Sequence, residues 1–196
     1  MSEERVLLAH GDGGERMAEL IERVFVSRLG TGEPAGDDSA RLVWGSAGRE
    51  PAPPALGKEA SRLRSLSYGA QGSCPTRWVF TTDAFVVDPI FFPGGDIGKL
   101  AVCGTVNDLA AAGARPVALS ASFILEEGLL ISELERVVDS MAASAAEAGV
   151  RVICGDTKVV PRGSADRVYI TTSGVGDVAG GWRCLGRVHG RATWCW

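Results

Sequence analysis

The chain has 196 residues, 45% of them hydrophobic and 22% charged, with 26 Gly, 9 Pro and a formal net charge of −4 at pH 7; this supports one buried core, or one and a fraction, and excludes a disordered or fibrous chain. Twenty basic against 24 acidic residues give no global drive toward nucleic acid or anionic lipid. The charged start, Met1 to Arg5, is unlike a signal peptide and no stretch of about 18 apolar residues occurs, so the expectation is a soluble, cytoplasmic protein that engages neither nucleic acid nor membrane.

In chain order, Met17, Leu20, Ile21, Val24, Phe25 and Leu29 recur at three- and four-residue spacing and predict an amphipathic helix over 15–29, stopped by Gly30. From Arg41 to Cys74 the periodicity weakens around PAPP (51–54), which predicts a loop or insertion. The β-branched and aromatic run from Trp78 to Val87 predicts a strand, broken by Pro89 and FFPGG (91–95). Asp96 is placed to cap a helix running to about Ala112, apolar almost all round from Leu100 to Val106. A buried strand is expected over 118–125. A helix then follows, with Ser132 as N-cap, Glu135 at the capping-box position and an inner face of Leu134, Val137, Val138, Met141, Ala145 and Ala148. Gly149 ends it, and short strands are expected over 150–154 and 168–173. Alternating helix and strand gives an α/β or α+β fold.

The segment 180–196 holds three of the five Trp and two of the five Cys and has no period. The five cysteines make neither a CxxC pair nor a disulfide framework, and Cys103 and Cys154 read as small core residues.

Four acidic places have contexts unlike solvated carboxylates: Asp37 and Asp38 in GDDSA, Asp83 inside FTTDAFVV, Asn107 and Asp108 inside GTVNDLAAAG, and Asp156 after a strand in CGDTKVV, followed by Thr157 and Lys158. Each has a plainer reading as a turn, a strand end or a hydrogen-bonded core residue. Together they would repel by about 4 kcal/mol per close pair at an effective dielectric of 20, with few basic residues nearby to offset it. Magnesium, a hard cation carried with polyphosphate, fits such a set. In HGDGGER, Gly11, Gly13 and Gly14 precede a helix whose first N–H groups are suited to holding phosphate, although a plain flexible turn is as good a reading of these residues. GGDIGKL (94–100) lacks both the first Gly and the Ser or Thr of a P-loop, and GVGDVA (174–179) matches a dinucleotide fingerprint only weakly.

The runs FTTDAFVVDPIFFPGGDIGKLAVCGTVNDLAAAGARP, SFILEEGLLISELERVVDSMAASAAEAGV and GDTKVVPRG resemble the HypE family of hydrogenase-maturation carbamoyl dehydratases, within the aminoimidazole-ribonucleotide synthetase (PurM-like) superfamily, over about 8–38 and 77–176. The resemblance implies a PurM-like N-terminal ATP-binding domain over 1–178, with a mixed sheet carrying helices on one face and pairing with a second copy in a homodimer. It implies ATP and Mg2+ as cofactors, Asp38, Asp83, Asp108 and Asp156 as metal or phosphate-site carboxylates, and Asn107 assisting them. Gly11, Gly13, Gly14, Asn107, Thr157 and Lys158 would then bind the nucleotide, with Asp83 and Lys158 acting in catalysis.

The activity implied is ATP-dependent dehydration of a cysteine S-carboxamide to a thiocyanate, for the cyanide ligands of a [NiFe] hydrogenase iron. The implied partners are a carbamoyltransferase and an iron-scaffold protein. Departures are an atypical loop over 41–74, an atypical tail over 179–196 in place of a second domain, and a penultimate Cys195 that is not the family's terminal cysteine. The expectation is therefore a shortened form whose tail is non-native coding. The alternatives are a non-catalytic dimerisation or partner-binding fragment, or another ATP-dependent enzyme of the superfamily.

Overall fold

The structure is a computed structural model and describes residues 4–30 and 77–178. The expected loop over 41–74, the tail over 179–196 and Asp38 lie outside the described residues.

The helix over 15–29, α1, follows Gly14 and contains a π-wound stretch, Ile21–Val26, in which the adjacent Val24 and Phe25 are both buried. The strands are β1 (Arg77–Phe85), the short β2 (Phe91–Phe92) and β3 (Gly95–Asp96), β4 (Arg115–Glu126), β5 (Arg151–Val160) and β6 (Val168–Val178). Two further helices are α2 (Ile97–Ala111) and α3 (Ile131–Ala148). The main sheet runs β1-β6-β4-β5, antiparallel except for the parallel β4–β5 pair that α3 connects. This is the expected mixed sheet, with the described helices on one face.

The core lies between that face and the helices. Leu134, Val137, Val138, Met141 and Ala145 of α3 are buried, as their spacing predicts; full burial of such side chains is worth about 1.5–3 kcal/mol each for the larger ones. Phe25 of α1 meets Phe123 of β4 with ring centroids 4.7 Å apart. At the rim Arg28 pairs with Asp139 (2.6 Å) and with Glu135 (3.6 Å), tying α1 to α3.

Several local expectations need correction. The α3 helix begins at Ile131 with Leu130 as N-cap and no side-chain cap, so Ser132 lies inside the first turn and Glu135 pairs with Arg23 and Arg28 instead of closing a capping box. Leu100 of α2 is exposed, because α2 covers the sheet with one face and leaves another open. Cys103 and Cys154 are half-buried, not core residues. The strands β5 and β6 run well past their expected ends, so Asp156 lies within a strand and GVGDV continues β6.

The glycines of that run have a packing reason. A side-chain carbon on Gly174 would lie 2.8 Å from Thr105 Cγ2 and 3.0 Å from Leu109 Cδ1, and one on Gly176 would lie 2.8 Å from Ala114 Cβ. Bare backbone at both positions lets α2 sit close against β6, the close helix–strand approach that glycine permits.

Candidate functional site

The strands set which carboxylates meet. Asp83 of β1 is in register with Thr172 of β6, whose hydroxyl is fully buried against α2, so Asp83 faces the helices. Directly over it, α2 carries Gly104: a side-chain carbon there would stand 2.8 Å from the Phe85 ring and 3.6 Å from Asp83 Oδ2. One turn further along α2, Asp108 Oδ2 accepts a 3.2 Å hydrogen bond from the Thr81 hydroxyl, two residues before Asp83 on the same face of β1. Asp83 and Asp108 thus converge between the β1 edge and α2, whose start is fixed by Asp96 accepting the Lys99 N–H at 3.0 Å. Asn107, beside Asp108, is exposed.

Burial, and then the negative charge of Asp108, hold the Asp83 carboxyl above its ordinary range. No ion pair of either carboxylate with a cationic side chain is among those found in the described residues. Two hard oxygen donors facing each other between β1 and α2 fit part of a Mg2+ shell, with the remaining ligands left to phosphate and water. Among the described residues no three His, Cys, Asp or Glu stand close enough to hold a metal by themselves.

The other expected residues are elsewhere. Asp156 lies in the cross-sheet row Ala84–Thr171–Ser122–Asp156, one step from the buried Asp83–Thr172 row and therefore on the opposite, open face of the sheet. Lys158, two residues on, shares that face, and both are exposed. Thr157 points to the core and is buried, in register with Phe123, so it does not stand with Asp156 and Lys158. The glycine loop packs on the same edge strand: a side-chain carbon on Gly11 would lie 2.8 Å from the Val159 backbone nitrogen. Gly13 has φ +83°, and the Gly14 N–H donates to Asp12 Oδ1 at 2.9 Å. The expected set is therefore split, with Asp83 and Asp108 at the β1 edge and Gly11, Gly13, Gly14, Asp156 and Lys158 at the β5 edge.

The open face also carries apolar side chains. Phe80 is 67% exposed, and Trp78 and Ile124 are exposed as well. A separate cleft of about 360 Å³ at the ends of β4 and β5, lined by Arg5, Glu126, Glu133 and Arg167 among others, is largely occupied with its own pairing. Glu126 accepts the Gly163 and Arg167 N–H groups there, and Arg167 pairs with Glu133 at 3.1 Å.

Sequence reasoning missed Thr81, Gly104, Thr105 and Thr172. Thr81 was within reach of it, since period two on a strand puts residue 81 on the face of 83. The others depend on how α2 crosses β6, which no local pattern encodes.

The model of the AIR synthase related protein, N-terminal domain, matches residues 71–178. Carbamoyl dehydratase HypE of Rhodobacter capsulatus is 50% identical over 182 residues, which is 92% of this chain and 46% of that protein. A crystal structure of hydrogenase maturation protein HypE in complex with ATP is 43% identical with a TM-score of 0.67, covering 88% of this chain and 43% of that one. A chain of a crystal structure of a HypE-HypF complex is 46% identical with a TM-score of 0.52, covering 62% of this chain and 43% of that one. The chain spans about half the length of the relatives it matches.

Proposed function

The chain belongs to the AIR synthase related family through its N-terminal domain, and from that premise we propose that it is the nucleotide-binding half of a HypE-like carbamoyl dehydratase of [NiFe] hydrogenase maturation. The observation that carries the reading is the convergence of Asp83 and Asp108 over Gly104, in a chain 43% identical to a HypE structure in complex with ATP. In this reading the γ-phosphoryl group of ATP passes to the oxygen of a cysteine S-carboxamide, with release of ADP and of one N–H proton. Loss of the remaining N–H proton and expulsion of phosphate then leave the thiocyanate.

Asp83 and Asp108 would hold Mg2+, which supplies charge neutralisation on the transferring phosphoryl group. Thr81 fixes the Asp108 carboxylate by its hydrogen bond. The glycine loop offers backbone N–H groups to phosphate, and Lys158 offers a cation. Asp38, Asn107 and Asp156 complete the proposed set.

One sheet keeps these groups apart, on edges separated by three strand spacings, about 14 Å. Two copies remove the obstacle. A twofold axis running along the strands, with the two sheets packed open face to open face and their edges curving together, brings β1 of one copy beside β5 of the other, so that groups on either face of the two edge strands meet at the seam. We therefore assign the homodimer contact to the open face, and one complete site to the carboxylate pair of one copy with the glycine loop, Asp156 and Lys158 of its partner. The proposed partners are the hydrogenase maturation proteins that deliver the carbamoyl group and receive the cyanide, in line with the HypE-HypF complex.

The test is ATP binding by calorimetry with and without Mg2+. Binding that needs Mg2+ and is lost in Asp83→Asn supports the reading. Mixing Asp83→Asn with Lys158→Ala should restore some binding, since a mixed dimer keeps one intact site; failure of that mixture removes the shared site. A second reading, a dimerisation or partner-binding protein without turnover, draws on the exposed Trp78, Phe80 and Ile124. Absence of any nucleotide binding in a dimeric chain selects it.

A further inference from the structure

The α2 helix is locked to the central strand β6 by a buried pair of hydroxyls, and we infer that Thr105 and Thr172 are positioning residues that set the separation of Asp83 and Asp108, and so the affinity of that pair for a divalent cation. The inference rests on the reading of the two aspartates as metal ligands.

Both threonines are fully buried. The Thr172 hydroxyl donates to the Ala101 carbonyl of α2 at 3.1 Å. Its oxygen is then open to accept the Thr105 hydroxyl, with which it is in hydrogen-bond contact. The link therefore joins Thr172 to α2 at two successive turns.

It stands one step from the carboxylates on both elements. Thr172 is the register partner of Asp83 across β6 and β1. Thr105 precedes Asp108 by three residues, the spacing that puts two side chains on one helix face. Sliding or rotation of α2 over β6 thus changes the Asp83–Asp108 separation directly.

Ile97, Ala101 and Val102 of α2 are fully buried in the core, but at β6 itself few side chains index the helix. The floor beneath Thr105 and Leu109 is Gly174, with Gly176 beyond it, and a bare backbone offers no knob to index the helix. The two hydroxyls supply a directional bond where the surface is smooth. Neither hydroxyl bonds a carboxylate, so the link acts on the ligands through the placement of α2 over β6.

The probe is Mn2+ alone, titrated into the full chain and followed by the electron paramagnetic resonance of free Mn2+, with urea unfolding measured in parallel. Thr172→Val keeps the shape and removes the hydroxyl, Thr172→Ser keeps the hydroxyl, and Thr105→Val breaks the same link from the helix side, which leaves a test standing if the strand variant does not fold. Direct outer partners of ligands are worth roughly 10- to 100-fold in metal affinity; acting one contact further out, a folded Thr172→Val or Thr105→Val should lose about tenfold, the low end of that range, and Thr172→Ser should stay near the parent. A folded Val variant that binds Mn2+ like the parent, or a Ser variant that fails as Val does, overturns the inference alone. Parent-like binding in Asp83→Asn overturns the metal reading and the inference with it.

Discussion

An Asp83 carboxylate oxygen lies 3.6 Å from the point where Gly104 would carry a side-chain carbon, so the acid occupies space that this glycine leaves open on α2. The same carbon would meet the Phe85 ring at 2.8 Å. Gly104→Ala gains about 1 kcal/mol of helix propensity and loses about 1–3 kcal/mol to overpacking, so net stability in urea should fall by no more than about 2 kcal/mol. Mg2+-dependent ATP binding should fall further than that, because the methyl pushes the strand carrying Asp83 away from Asp108. Calorimetry beside urea unfolding separates the two effects.

The Asp83 carboxyl is held above its ordinary range by burial and then by Asp108. A group whose folded pKa is raised is accommodated best when protonated, so its stability contribution is full below the unfolded value and is lost as pH rises through the folded one. Asp83→Asn should therefore be more stable than the parent at pH 7, and the difference should close as pH falls below the ordinary aspartate range. Added Mg2+ should raise the melting temperature of the parent and leave Asp83→Asn where it is. A variant less stable than the parent at neutral pH would show that the carboxylate makes compensating bonds.

The glycine loop meets β5 at backbone. A side-chain carbon on Gly11 would lie 2.8 Å from the Val159 nitrogen and 2.9 Å from its Cβ, atoms that the sheet does not let move. Gly11→Val should lift the loop from the edge strand. The helical core, held by Phe25 on Phe123 and by the Arg28 pairs, should keep its unfolding midpoint while ATP affinity falls. Equal losses in both would mean that the loop is part of the folding unit.

The helices were legible because their signals are local. The apolar faces of α1 and α3, Asp96 at the start of α2 and Gly149 at φ +65° after α3 all follow from spacing and backbone chemistry. The strand ends were not, since Asp156 and GVGDV extend β5 and β6 against local preference for pairing with β4 and β1. The reason for Gly174 and Gly176 within β6 is visible only once α2 is seen lying on them. The acidic residues stand out in the sequence by their contexts, yet which of them meet depends on strand register. Asp83 and Asp156 point to opposite faces because Thr172 and Thr171 do, and nothing within either motif carries that parity.

The open face gives the sharpest check of the proposed dimer. Phe80 is 67% exposed and in register with Val175 of β6, on the side of the sheet away from the described helices. In a monomer Phe80→Glu is a surface substitution, worth within about 0.5 kcal/mol in either direction. In a dimer stacked on this face it buries an unpaired charge in each copy, which costs several kcal/mol per ion. Sedimentation should then show the parent as a dimer and Phe80→Glu as a folded monomer with an unchanged circular dichroism spectrum. Because the proposed site takes Asp83 from one copy and Lys158 from the other, the monomer should also lose ATP binding, although Phe80 itself contacts no nucleotide. A dimeric Phe80→Glu would move the contact elsewhere, and a monomer that still binds ATP would return the whole site to one chain.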